Sequence, residues 1–223
     1  MAKLEHIERS EVLRYMGHRG EPEPGLDALI DRCEEILLRD SRPKYTFAVH
    51  DILRCDDSIS LSGCRLELLG NDIKAHLEGC ERAALICATL SAGADAAIRR
   101  AEVSEMALAF AMDAAASAAI EQFLAMADEE ILSALPGYYG TWRFSPGYGD
   151  FPIEVQKDFV SALNAQKRIG LCVSESGILT PRKSVTAVMG LSREPLPRKR
   201  RGCAMCAMNR TCLYRKRGGH CGF

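Results

Sequence analysis

Between Ser104 and about Ala134 the sequence predicts one long helix. Met106, Ala109, Phe110, Ile120, Phe123, Leu124 and Ala127 supply apolar faces at helical spacing. Many of the remaining positions are alanine, which lets other elements approach closely. Pro136-Gly137 ends the pattern. Asp113, Ser117 and Glu121 recur every four residues along it and drift about 40° per step. That polar strip is either a solvated face, or a strip on which Glu121 points into a pocket and receives a ligand's ammonium.

The elements before this helix alternate in type. Glu11–Met16 predicts a short helix ended by Gly17, and Pro22 and Pro24 mark a linker. Leu26, Leu29, Ile30, Cys33, Ile36 and Leu37 recur at helical spacing until Pro43. Tyr45–Val49 predicts a strand, and Ile59–Leu61 with Arg65–Leu69 a hairpin joined at Ser62-Gly63. Asn71 is placed to cap a helix running through Leu77, and Ala83–Leu90 is apolar enough for a buried strand. After the long helix come a helix from about Pro152 to Leu163, a strand at Ile169–Val173 and a strand at Val185–Leu191. The predicted class is α+β: a twisted, mostly antiparallel sheet with packed helices over residues 1–192, plus a small Cys-rich tail, residues 193–223.

The stretch most suggestive of chemistry is Arg143–Asp150, Arg-Phe-Ser-Pro-Gly-Tyr-Gly-Asp. Pro146-Gly147 forces a turn, because proline fixes φ and glycine accepts positive φ. A guanidinium (Arg143), a phenol (Tyr148) and bare backbone amides then converge on one short loop. That set suits a small ligand bearing a carboxylate and a ring or cation; a plain turn with a buried, satisfied arginine is the other reading. Ser174-Glu175-Ser176-Gly177 would lie beside this loop if the flanking strands pair, making Glu175 either an exposed turn acid or part of the same pocket.

Composition narrows the function classes. The first residues are polar and carry no signal-peptide core, and no run of about 18 apolar residues is present, so a cytoplasmic location without a membrane span is expected. No Ser/His/Asp or Cys/His set stands out, and the Gly-rich loop lacks the G-x-G-x-x-G order of a dinucleotide fold. The net charge of −1 is unevenly placed. Residues 193–223 hold nine Lys/Arg against one Glu, while residues 1–192 hold 20 basic and 29 acidic residues. The tail therefore reads as a separate piece with its own partner.

Arg143, Pro146, Gly147, Tyr148 and Pro152 form an Arg-x-x-Pro-Gly-Tyr-x-x-x-Pro pattern. After a helix it is followed by Arg168-Ile169-Gly170-Leu171, Ser174-Glu175-Ser176 and Pro181-x-x-Ser184-Val185. This order resembles the activation (reactivation) domain of cobalamin-dependent methionine synthase, in its stand-alone form. The resemblance is sharpest over 143–191 and extends more weakly over the first 140 residues. It implies binding of S-adenosylmethionine and support for reductive methylation of cob(II)alamin carried by a partner. That partner would be a cobalamin-binding methionine synthase or another corrinoid protein, fed by a flavodoxin-like or ferredoxin-like reductant. Carried over by position, Arg143 would hold the methionyl carboxylate, and peptide groups around Ser145 and Gly147 would meet the adenosyl part. Tyr148 would pack against or bond the ligand. Glu121 would lie near the amino group or sulfonium, and Glu35 is a weaker match to another acidic ligand-binding position. The chain departs from the fused domains after the last motif: their paired tyrosines are replaced by a Pro/Arg-rich segment, residues 192–201.

Ten cysteines are many for a reducing compartment. Cys33, Cys55, Cys64, Cys80 and Cys87 read as small core residues. Cys203, Cys206, Cys212 and Cys221 follow a basic run, and a C-x-x-C with two further cysteines nearby signals metal. Zinc, an iron–sulfur cluster and free or redox thiols all remain open, because the spacing matches neither common ferredoxin pattern. The cluster option suggests a second reading, a metal or electron-transfer adaptor for another corrinoid methyltransferase. Nucleic acid is disfavoured, since only Tyr214 interleaves the basic residues.

Overall fold

Two largely apolar strands, Arg82–Thr89 and Ser184–Ser192, pair antiparallel at the centre of the sheet and bury both their faces. Strands of that kind need cover on both sides, and the rest of the chain supplies it. The computed structural model describes residues 3–18 and 24–196. In chain order the helices are α1 (Arg9–Tyr15), α2 (Leu26–Asp40), α3 (Asn71–His76), α4 (Ala92–Ser104), α5 (Met106–Ser133), α6 (Gln156–Ala162) and α7 (Ala165–Ile169). The strands are β1 (Lys44–Arg54), β2 (Ser58–Leu61), β3 (Glu67–Leu69), β4 (Arg82–Thr89), β5 (Tyr139–Gly140), β6 (Cys172–Val173), β7 (Leu179–Thr180) and β8 (Ser184–Ser192). Six strands form one sheet in the order β3-β2-β1-β4-β8-β5, and β6 and β7 form a separate ribbon. All the pairings between these strands are antiparallel, so the expected α+β class holds.

Period-two alternation sorts the side chains into two cores. Ala84, Ile86 and Ala88 of β4 face one layer, made with α1, α2, α4 and α5. Ala83, Leu85 and Cys87 face the other, made with β2, β3, α3, α6, α7 and the 144–151 loop. On β8, Val185, Met189 and Leu191 look toward the α5 side, while Val188 looks away. α5 lies against α1, α2, α4 and β4, and its alanines at 111, 114, 115, 116, 118 and 119 are all buried. Small side chains there bring helix backbones close; one bulky residue would push the layers apart.

By length and hydropathy α5 would suffice to cross a bilayer, which corrects the reading that no segment is apolar enough. The polar strip had masked it. Within the protein, 67% of its most apolar window is buried, as in a core helix.

Other expectations are refined. The helix predicted from Ser104 begins at Met106, and a further helix, α4, precedes it. Glu105 (φ −157°, ψ 101°) takes an extended conformation that breaks one from the other. The strand expected at Ile169–Val173 is shorter: Ile169 is the last residue of α7 and Leu171 is irregular. Gly170 (φ +75°) closes α7 in the left-handed conformation, and only Cys172–Val173 is extended. The helix expected at Pro152–Leu163 starts as a single 3-10 turn, Ile153–Val155, before α6. Of the five early cysteines, Cys33, Cys80 and Cys87 are buried and Cys64 is half-buried, but Cys55 is exposed just past the end of β1. The four tail cysteines lie outside the described residues.

Candidate functional site

Strand alternation decides where Arg143 points. Phe144 bridges to Val188 of β8 through two backbone hydrogen bonds, its amide to the Val188 carbonyl at 2.9 Å and the Val188 amide to its own carbonyl at 2.8 Å. The Phe144 ring joins the core on the side away from α5. Its neighbour Arg143 therefore turns to the opposite face and meets α5. There the guanidinium donates from Nη2 to Glu121 Oε2 at 2.8 Å and from Nη1 to Asp128 Oδ2. The Arg143 side chain is 20% exposed and that of Asp128 22%, whereas Glu121 is 43% exposed.

Lys183 reaches the same stripe by the same rule. It precedes β8 by one residue and shares the side of Val185 and Met189. Its ammonium meets Asp113 Oδ1 at 2.8 Å, the Asp113 carbonyl at 3.0 Å and Ser117 Oγ at 2.9 Å. The strip Asp113–Ser117–Glu121 is thus a seam against two cations, with Asp128 as its fourth acceptor. Its outer edge still meets water, the Asp113 and Glu121 side chains being 48% and 43% exposed. Asp128 was missed by sequence reasoning, although its signal was available: seven residues after Glu121 is almost two full turns, so the two share a face. Lys183 was not legible, because its approach depends on how β8 pairs.

The loop after Arg143 is held by reciprocal capping. Asp150 accepts the Asn71 amide at 2.7 Å and the Asp72 amide at 2.9 Å, while Asp72 accepts the Asp150 amide at 3.1 Å. The expectation that Asn71 caps α3 is corrected: Gly70 takes that position and a carboxylate from a distant loop satisfies the first-turn amides. The Asp72 and Asn71 amides, in that order, hold the Asp150 carboxyl below the usual carboxylate range. Gly149 (φ +56°) is required here, since a Cβ would sit 1.9 Å from Asp72 Oδ2. Inside the loop the Gly147 amide donates to the Phe151 carbonyl at 2.8 Å, and the Tyr148 amide to the Ser145 carbonyl at 3.2 Å.

The remaining expected residues spread out from this point. Tyr148 is 65% exposed, its ring 6.3 Å from that of Phe144. Phe144 also stacks on His76 and Phe151 and meets Trp142 edge-on, so the loop rests on an aromatic bed. Glu175 is exposed at the β6–β7 turn. Ile153 stands between that turn and the loop, against both Gly147 and Gly177. Glu35 faces solvent on α2, one turn before Arg39. The structure therefore joins Arg143 to Glu121, sets Ser145, Gly147 and Tyr148 on the adjoining loop with Glu175 on a turn nearby, and leaves Glu35 on another helix. Among the described residues no group of three or more His, Cys, Asp or Glu is placed to hold a metal.

The chemistry of the cluster follows from donor counts. Arginine has five N–H donors, and Arg143 uses two on Glu121 and Asp128. The others remain for a further acceptor, and a ligand carboxylate matches them.

Comparison with known proteins bears on the fold. No family model matches the chain, and no curated protein does. Among solved structures it is similar to the MetH reactivation domain bound to AdoHcy, with TM-score 0.62 and 14% identity, over 86% of this chain and 75% of that one. The two share a fold. At such low identity the likeness concerns architecture, and it agrees with the expected class.

Proposed function

We propose that the chain is an S-adenosylmethionine-binding activation subunit that supports reductive methylation of cob(II)alamin on a cobalamin-dependent methionine synthase. The single observation that carries this reading is Arg143, fixed by two acids of α5 yet with N–H donors left over, at the root of the 145–150 loop. The architecture shared with a domain solved bound to AdoHcy supports it.

In this reading the Arg143 guanidinium binds the methionyl carboxylate, for which its planar fork is better matched than an ammonium. Glu121 stays near the amino group or the sulfonium. Backbone at Ser145 and Gly147 borders the adenosyl part, and Tyr148 covers it from the solvent side. The ligand supplies an electrophilic methyl. The acceptor is the partner's cobalt after it gains one electron, so the C–S electron pair stays on sulfur and a thioether remains. No base or nucleophile is required of this chain, whose task is orientation.

Calorimetric titration with S-adenosylmethionine tests the reading directly. Wild type should bind, and Arg143→Ala should lose about 1.5–3 kcal/mol of affinity, as expected for a charged hydrogen-bonded contact. Absence of binding by wild type would sink it. A second test mixes the protein with a cob(II)alamin-loaded synthase core, a reductant and S-adenosylmethionine, and follows methylcobalamin by absorbance.

A further inference from the structure

We propose that a second ligand site, for a small zwitterionic amino acid, lies between α4 and the loop that leads into β8. Asp95, Ile98, Arg99 and Glu102 recur at i, i+3, i+4 and i+7, so they share one face of α4. Arg182 and Lys183 complete the lining of a cavity of about 200 Å³. Lys183 immediately precedes β8, and Val188, which bridges to Phe144, lies five residues further on. At ~3.3 Å per residue that is about 17 Å, so the cavity is separate from the Arg143 cluster. The proposal stands on its own observations and does not depend on the S-adenosylmethionine reading.

Asp95 is 8% exposed, and its Oδ2 accepts the Arg182 amide at 2.8 Å, which ties the loop to α4. Its Oδ1 is shielded from water and has no hydrogen-bond partner among the described residues. A carboxylate oxygen held out of water without a partner is costly, and a donor on a ligand would remove that cost. Lys183 adds no free charge, because its ammonium is occupied by Asp113 and Ser117. Arg99, Glu102 and Arg182 are exposed, and among the described residues their side chains have neither an ion pair nor a hydrogen bond. With Lys183 matched by Asp113, the lining holds two guanidiniums and two carboxylates. A dianion would meet the two acids as well as the two bases. A molecule with one carboxylate and one ammonium meets each with its opposite. The guanidiniums take its carboxylate, Asp95 Oδ1 and Glu102 take its ammonium, and Ile98 offers an apolar wall for a short aliphatic side chain. Size agrees: about 200 Å³ is the room of about six or seven waters at ~30 Å³ each. Pockets for drug-sized ligands start at ~300 Å³.

The experiment is calorimetric titration with L-valine. Isovalerate (its carboxylate without the ammonium), isobutylamine (its ammonium without the carboxylate) and inorganic phosphate serve as comparison probes. Wild type should bind L-valine saturably, and roughly tenfold or more tightly than any of the other three. Arg182→Gln should weaken L-valine roughly three- to tenfold, a value discounted for an exposed charge. Asp95→Asn should weaken it roughly tenfold or more. Arg100→Gln, next to Arg99 on α4 but paired with Asp40, should leave affinity within about twofold. Absence of saturable L-valine binding overturns the proposal, as does a comparison probe that binds as tightly. An Arg182→Gln variant that binds like wild type, or an Arg100→Gln variant equally impaired, overturns it too. Should Asp95→Asn fail to fold in thermal melts, Arg182→Gln decides, since its side chain is exposed.

Discussion

Lys183 and Arg143 reach one stripe of α5 from the same side of the sheet, and they are received differently. The lysine has three donors and all three are occupied, by a carboxylate, a carbonyl and a hydroxyl. Its charge is matched one to one with Asp113, and its side chain is only 12% exposed. The arginine has five donors with two occupied, and it faces two acids. The first arrangement is complete in itself and fastens β8 to α5. The second has N–H donors to spare. The difference separates a saturated ion pair from a guanidinium with unused donors on a single helix face.

The largest effect expected from breaking this contrast is on binding. Arg143→Ala should weaken S-adenosylmethionine about 10- to 150-fold, the equivalent of about 1.5–3 kcal/mol. Lys183→Met should do the reverse. It should lower unfolding free energy by about 1–2 kcal/mol in denaturant titrations, through the lost ammonium contacts, and leave affinity within about twofold. If Lys183→Met proves as damaging to binding as Arg143→Ala, the two clusters are not distinct. Asp150→Asn gives a smaller effect with a defined pH signature. The native carboxyl titrates below its ordinary value, so its contribution is present above the unfolded pKa, near 4, and is lost as pH falls through the depressed native value. The melting-temperature gap between wild type and Asp150→Asn should therefore be widest at neutral pH and close toward pH 2. A gap that grows on acidification would contradict the cap. Smallest of all is a labelling control. A thiol reagent at pH 8 should modify exposed Cys55 without moving the melting temperature, while Cys33 and Cys87, pushed up by burial to about 11 and about 12, stay unmodified in the native state.

Much of this fold was written in local pattern. β4, the β2–β3 hairpin and α5 announce themselves by apolar runs, turn residues and periodicity. α4 does not, because its buried face is Ala94, Ala97, Ile98 and Ala101, with charges close beside them. Alanine barely distinguishes inside from outside, so the amphipathic contrast is faint. The break before α5 comes from one extended residue, Glu105, with no proline or glycine to mark it. At the site, Arg143 and Glu121 were each singled out by the sequence, but their direct hydrogen bond was not legible. The Asp128 position was implied by helix geometry and overlooked. The Asp72–Asp150 exchange joins residues 78 apart in sequence, and no local signal encodes it.

That exchange limits how the loop could be transplanted. A chimera that moved only residues 143–151 onto another scaffold would leave Asp150 with no amides to accept and the recipient's helix with its own first turn uncovered. Gly70, Asn71, Asp72, Gly149 and Asp150 form one structural unit, split between two places in the chain. Anyone grafting this loop as a cassette has to carry both halves.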